Sequence, residues 1–414
     1  MASLPDRLEL ELVDMAFRGE AVGRFDGRVV FAAYGIPGER VEVELYKRRS
    51  RFARGRVVAV HNPSPFRVLA PCPYFGECGG CQWQHIDYAK QLEFKQKVVA
   101  DQLRRIGRFE DPPVRPVIGM VDPWHYRNHA RFSVDYDGRL GFMRLESHDF
   151  LGIDYCLIMQ EPINDVLRRL QGRVPKLHQV VVRCSVRTGQ VLVEPRHPAI
   201  PWDEAWRDDY LEEELLGRRF RVSPPSFFQV NTKPERRDLG GLIKPGWGYP
   251  AVGDYSIADI LGLLVMRYVD PTGVETVVDA YSGVGTFGVI LADKVRRVIG
   301  IEESRSAVRD SRYNSRGVPN FEMIEAKTEA VLPTLDTPVD AVILDPPRVG
   351  CAPEVLTALL KLSPPRVIYV SCDPATLARD LRVLVDGGYR LVEVQPLDMF
   401  PQTYHIESVS FLVR

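Results

Sequence analysis

The segment DAYSGVGTFG sets Gly283, Gly285 and Gly288 in a G-x-G-x-x-G pattern, after a strand-like run and before a helix-like one. Glycine permits a tight turn and the close approach of a ligand to the backbone. The pattern alone is weak, since NAD, FAD and S-adenosylmethionine sites share it and some matches are only tight turns. Its context strengthens it. Glu302 ends the next strand-like run, RRVIGIE, where a carboxylate accepts hydrogen bonds from both ribose hydroxyls of a nucleoside. The turn therefore reads as a nucleoside-cofactor site.

Three further segments follow strand-like runs. DPPR, Asp345–Arg348, has two prolines that fix a rigid loop and remove two N–H donors. A carboxylate held there suits a planar nitrogenous substrate or the cofactor; the plain alternative is a rigid turn. SCDP, Ser371–Pro374, places Cys372 at the same kind of strand end. Alone it would be a small buried hydrophobe. Beside a cofactor loop, a thiolate is suited to add to an electron-poor ring carbon. FPQTYHIE ends in Glu407, a carboxylate that could remove a proton. A lone His such as His405 is more often structural.

Cys72, Cys78 and Cys81 form a C-x5-C-x2-C run, and Cys156 follows much later. Four thiolates suit a structural zinc or an iron–sulfur cluster. The spacing matches neither a paired C-x2-C zinc ribbon nor the C-x3-C-x2-C of radical enzymes, and Gly79 and Gly80 let the chain wrap a bulky inorganic core. Cys184 and Cys351 fall outside the pattern and read as packing residues.

These residues need elements to present them. The chain has 414 residues, enough for two or three domains. Residues 1–61 read as a small β-barrel of four or five short strands, turning at Asp26-Gly27 and Pro37-Gly38. Its last hairpin, YKRRSRFARGR, carries Lys47, Arg48, Arg49, Arg51, Arg54 and Arg56 with Tyr46 and Phe52 interleaved and no acid among them. That mixture suits an RNA backbone and its bases, or a solvated loop. Residues 62–225 read as an α+β part, with a helix over QLEFKQKVVADQLRRIGR and hairpins turning at Asp137-Gly138 and Thr188-Gly189. Residues 226–414 alternate apolar β-branched runs with helical segments, which predicts a parallel sheet covered on both faces. Ligands of such sheets bind outside the carboxyl ends of the strands, where the segments above fall.

Hydrophobic residues at 45% and charged residues at 26% are ordinary for a globular chain and exclude a disordered or collagen-like one. A net charge of −1 excludes a globally basic coat, so nucleic-acid binding requires segregated patches. The start, MASLPDRLELEL, lacks the form of a secretory signal, and no stretch approaches the ~20 apolar residues of a membrane span. A cytoplasmic location without membrane contact is expected, and no obligate protein partner is inferred.

In combination, FFQVN at Phe227–Asn231, the glycine loop, DPPR, SCDP and FP-x-T-x-H-x-E resemble the RNA uracil-C5-methyltransferase family, which makes 5-methyluridine with S-adenosylmethionine. The resemblance covers nearly the whole chain. It implies an N-terminal RNA-binding TRAM barrel, a central iron–sulfur α+β domain and a C-terminal Rossmann-like methyltransferase domain. The four-cysteine pattern looks like the branch that modifies 23S ribosomal RNA and carries a 4Fe–4S cluster. Gln229, Tyr281, Gly283, Gly285, Thr286, Glu302 and Asp345 would then meet the cofactor. Cys372 would be the nucleophile and Glu407 the general base, with Asp345 orienting the ring. Two departures stand out: Gln402 replaces a frequent His, and IEAKTEAVL offers Lys327 or Glu329 where Asn or Asp is usual. A tRNA uracil-C5 methyltransferase, an NAD-dependent oxidoreductase and a non-catalytic RNA-binding protein are the competing readings.

Overall fold

The computed structural model describes residues 4–145, 147–174, 177–198 and 200–414. Arg7–Met15 (β1), Ala21–Phe25 (β2), Arg28–Ala33 (β3), Arg40–Arg48 (β4) and Phe52–Asn62 (β5) close into a barrel. In β1, Leu8, Leu10 and Leu12 are buried while Arg7, Glu9 and Glu11 are exposed. That is the period-two pattern of a strand with one face on a core. At Gly55 of β5 a Cβ would lie 2.5 Å from the Glu44 carbonyl, so only glycine lets these strands close. The basic hairpin is less bare than its sequence suggests. Arg48 pairs with Asp6, Arg54 with Glu20 and Arg56 with Glu44, all from neighbouring strands or the chain leading into them.

Tyr88–Arg105 (α1) comes next, with its start capped by Asp87. His129–Val134 (β6), Leu140–Met143 (β7), Phe150–Gly152 (β8), Gln179–Cys184 (β9), Val191–Glu194 (β10) and Trp206–Arg207 (β11) form a six-stranded sheet. Glu161–Leu170 (α2) covers one face, packing Ile163, Leu167 and Leu170 in one core with Phe132, Val180 and Val182. Two small hairpins follow, Leu211–Leu215 (β12) with Arg218–Val222 (β13), and Glu235–Asp238 (β14) with Val252–Tyr255 (β15). Ile257–Val269 (α3) is almost wholly buried and begins in a capping box of Ser256 and Asp259.

The last sheet comprises Thr276–Ala280 (β16), Arg297–Glu302 (β17), Phe321–Glu325 (β18), Ala341–Leu344 (β19), Arg366–Ser371 (β20), Arg390–Leu397 (β21) and Glu407–Val413 (β22). Its order is β18-β17-β16-β19-β20-β22-β21. Thr286–Leu291 (α4), Arg305–Asn314 (α5), Thr328–Val331 (α6), Pro353–Leu362 (α7) and Pro374–Asp386 (α8) connect the strands. The first five strands in that order are parallel, as expected. The sequence reading is corrected at the end: β22 runs antiparallel to both β20 and β21. A buried apolar strand reads the same in either sense, so its pattern carries no direction.

Helix α1 lies beside the middle part in sequence but packs on this last sheet. Val98, Val99 and Leu103 share one core with Val278, Ile299, Leu381 and Leu412. Val114 and Ile118 extend the contact through parallel bridges to Val394 and Leu397 of β21.

Candidate active site

Register brings the motifs to one edge. Ala280 pairs with Ile301 and with Leu344, and Leu344 with Tyr369, so β16, β17, β19 and β20 end together. The glycine loop, Glu302, Asp345 and Cys372 all follow these ends. Because β22 is antiparallel, it is its first residue that reaches the same edge. Ser408 pairs with Ser371, which sets Glu407 opposite Cys372.

The glycine loop is built from below by Asp279. One of its carboxylate oxygens accepts from the Ser282 hydroxyl at 2.8 Å and the Gly288 amide at 3.0 Å. Burial raises its pKa to about 6, against those two hydrogen bonds. Gly283 and Gly285 have φ of +57° and +86°, and no atom lies within 4 Å of a Cβ placed on Gly283. Thr286 opens α4 just after. Glu302 accepts from the Gly283 amide at 2.9 Å on one oxygen and from the Ser304 amide at 2.8 Å on the other. Each oxygen keeps a lone pair for a hydroxyl donor. This open, backbone-lined cradle with a fixed carboxylate fits a nucleoside cofactor.

Tyr281 also has positive φ, +61°, and its phenol faces the Cys351 thiol. Gln229 is buried in the loop between β13 and β14, and the Asn128 side-chain amide donates to its backbone carbonyl at 3.1 Å. Its neighbour Phe227 is 65% exposed. Glu329 lies near enough to Tyr281 to raise its pKa, whereas Lys327 caps α6.

Cys372, Glu407 and Asp345 form an electrostatically coupled group. Burial pushes the Cys372 thiol up to about 11, and the Glu407 charge adds to this. Burial and the facing Asp345 carboxylate hold Glu407 well above the ordinary range, and burial and Asp279 raise Asp345. Arg348 opposes the rise at both Cys372 and Glu407, and lies within hydrogen-bonding reach of the thiol. It is the functional residue that sequence reasoning passed over; its only signal was its place in DPPR. His405 is half-buried and held neutral, its pKa lowered to about 4 by desolvation and by Arg348, Lys95 and Arg127.

The family described as tRNA (Uracil-5-)-methyltransferase matches residues 268–414, and the TRAM domain matches residues 8–58. An uncharacterized RNA methyltransferase of Halalkalibacterium halodurans is 35% identical, over 98% of this chain and 97% of that protein. Another, from Gloeobacter violaceus, is 37% identical, over 97% and 95%. The solved structure of Pyrococcus abyssi tRNA (uracil-54, C5)-methyltransferase with S-adenosyl-L-homocysteine is similar, with a TM-score of 0.72 and 26% identity, covering 98% of this chain and all of that one. The chain belongs to the RNA uracil-C5-methyltransferase family.

Family membership makes the enzyme an RNA uracil-C5 methyltransferase that uses S-adenosylmethionine, with a TRAM barrel at its N-terminus. Among the described residues, no helix is long and apolar enough to cross a membrane.

The methyltransferase also carries a cysteine-lined cavity. Cys72, Cys78, Cys81 and Cys156 line a pocket of about 340 Å³, together with Tyr74, Phe142 and Ile158. Burial raises the thiol pKa of Cys78, Cys81 and Cys156, the last to about 11, and the neighbouring thiols add to each rise. Among the described residues, no group of three or more His, Cys, Asp or Glu is arranged to hold a metal ion. The thiols instead ring a space larger than one ion occupies, a donor set that fits a multi-atom inorganic core. Cys184 and Cys351 are buried elsewhere.

Proposed function

We propose that this enzyme methylates carbon 5 of a uridine in 23S ribosomal RNA through a covalent adduct on Cys372. The observation that carries the reading is the apposition of Cys372 and Glu407 on neighbouring strand ends, beside Asp345 and Arg348. The division of labour follows the predicted parts: residues 1–61 and the basic surface hold the RNA, 62–225 shape it, and 226–414 do the chemistry. The target uridine leaves its stack, because its ring is otherwise out of reach.

The Cys372 thiolate adds to carbon 6, and the electron pair moves toward carbon 5. When bound, S-adenosylmethionine would be held by Gln229, Tyr281, Gly283, Gly285, Thr286, Glu302 and Asp345 and would supply an electrophilic methyl group to carbon 5, the sulfur–methyl bond breaking so that its electron pair leaves with S-adenosylhomocysteine. Glu407 takes the proton from carbon 5; the electron pair restores the ring double bond and expels Cys372. A carboxylate whose pKa is raised by burial is the stronger proton acceptor. Arg348 favours the thiolate, and Asp345 orients amino or imide groups of the ring or cofactor.

Cys72, Cys78, Cys81 and Cys156 would hold a 4Fe–4S cluster, and the shared cavity supports this. Methyl transfer involves no net redox change, so the group would tie the 72–81 loop to Cys156 and shape an RNA surface. We place the enzyme in the cytoplasm, acting without an obligate protein partner. A tRNA substrate is the second reading, favoured by the matched family's description and by the Pyrococcus abyssi neighbour's substrate.

The test is tritium release from RNA labelled at uracil carbon 5, taken from cells lacking the enzyme. Release should require S-adenosylmethionine and Cys372 and should come from the rRNA fraction. Release from tRNA alone would select the second reading. Wild-type release by a Cys372→Ala protein would refute the adduct.

A further inference from the structure

The stretch Asp398–Ile406 leads from β21 into Glu407, and it is gripped from outside its own sheet. The Lys95 ammonium of α1 meets the Asp398 carboxylate at 2.6 Å, both fully buried, and also donates to the Phe400 carbonyl at 3.1 Å. The Tyr88 hydroxyl donates to the other Asp398 oxygen at 3.0 Å. The Tyr126 hydroxyl donates to the Pro401 carbonyl at 3.0 Å.

The tightest grip is on Gln402, which stands at φ +67°, a left-handed conformation that side-chain-bearing residues rarely adopt. Gln91 of α1 holds it twice. The Gln91 side-chain oxygen Oε1 accepts from the Gln402 backbone amide at 3.1 Å, and the Gln91 side-chain Nε2 donates to the Gln402 Oε1 at 3.0 Å. The Gln402 carbonyl accepts from the backbone amides of Gln82 and Trp83 at 3.1 and 3.0 Å. Gln82 directly follows Cys81, and its side chain donates to the Gly79 carbonyl at 2.8 Å. Gln91 also donates to the carbonyls of Trp83 and Ile86. The end of the cysteine loop, α1 and the Gln402 turn are thus one buried hydrogen-bonded knot. It lies five residues before Glu407. Among the described residues, the hydrogen bonds of this knot come from α1, the end of the cysteine loop and the Gln402 turn.

We infer that Gln91 and Gln402 are positioning residues that set the Glu407 carboxylate over the cleft from outside its sheet. The inference rests on the reading of Glu407 as the group that takes the carbon-5 proton. A buried amide pair fixes a turn in one conformation because breaking it strands polar groups away from water. Displacing that turn disturbs the segment that leads into Glu407, whereas the turn's described hydrogen bonds run to α1 and the cysteine loop and not to Cys372.

The test uses the full-length enzyme in three variants: Gln91→Ala, Gln402→Gly and Glu407→Gln. Glycine keeps the left-handed turn and removes the side chain, so Gln402→Gly covers the case in which Gln91→Ala does not fold. Both clamp variants should lower kcat about tenfold to a hundredfold, with the KM for RNA and the affinity for S-adenosylmethionine within about threefold of wild type. Both should build up methylated, cysteine-linked RNA, seen as a denaturant-resistant band, because the step that needs Glu407 is slowed. Glu407→Gln should build up more of it. A loss that falls on KM, or a slower kcat without the band, would overturn the clamp when Glu407→Gln shows the band. Absence of the band in Glu407→Gln would overturn the proton-acceptor reading and the inference with it.

Discussion

At the sheet edge, Cys372 and Glu407 stand on adjacent strands whose hydrogen-bonded register fixes them without help from a ligand. At the cysteine pocket, Cys72, Cys81 and Cys156 lie on irregular chain and Cys78 on an isolated bridge to Arg144, all around an open cavity. A cation serves the first site, since Arg348 favours the thiolate of Cys372. Among the influences on Cys81 are three neighbouring thiols, each of which opposes its ionisation. The contrast separates a site preset by backbone register from one whose walls, on the proposed reading, depend on a group held by the thiols. Metal ligation would release those protons and tie the loops together.

The largest effect should come from exchanging cysteines between the two sites. Cys372→Ala should lower turnover by at least about 10³-fold and leave thermal stability and cofactor affinity unchanged. Cys78→Ser should do the reverse, costing iron and sulfide content, melting temperature and RNA affinity together. Turnover by tritium release, melting by calorimetry and RNA binding by filter assay check the pair. Normal RNA binding by a folded, iron-free Cys78→Ser protein would break the comparison at its second member.

Next in size is the cation. Arg348→Gln removes the group that opposes the rise of the Cys372 thiol, so the thiol pKa moves further above about 11. Below that pKa the thiolate fraction falls about tenfold for each unit of rise, so kcat/KM near neutral pH should drop about tenfold or more. The alkaline limb of the pH profile should move to higher pH. An unshifted limb would show that Arg348 does not serve the thiol.

The smallest effect is on stability. Glu407 titrates above its unfolded range, so the folded protein holds a proton that the unfolded chain has lost. Its contribution therefore falls as pH rises from the unfolded carboxylate pKa toward the folded one. Glu407→Gln should stabilise the protein by about 1 kcal/mol at pH 8 and by little at pH 4.5. A pH-independent difference would count against the buried carboxylate pair.

Much of the site was legible because its parts are local in sequence. Each of the glycine loop, Glu302, DPPR and SCDP follows an apolar run, and a parallel sheet turns such positions into one edge. Left-handed Gly283 and Gly285 were marked by residue type alone. Less legible was α1, whose apolar face is explicit but whose partner is the last sheet rather than its neighbours in sequence. The pairing of Arg48, Arg54 and Arg56 in the basic hairpin was not legible for the same reason, because Asp6, Glu20 and Glu44 come from other stretches.

The sequence by itself determined which residue types follow which strands, and hence a candidate cofactor turn, a candidate nucleophile and two candidate carboxylates. Tertiary structure decided that Glu407 opposes Cys372, that Arg348 attends both, and that Gln91 grips Gln402. The physical reason is that hydrophobic patterning specifies burial without specifying strand sense or order. Inserting β22 antiparallel between β20 and β21 is what turns the beginning of that strand toward the edge where the others end.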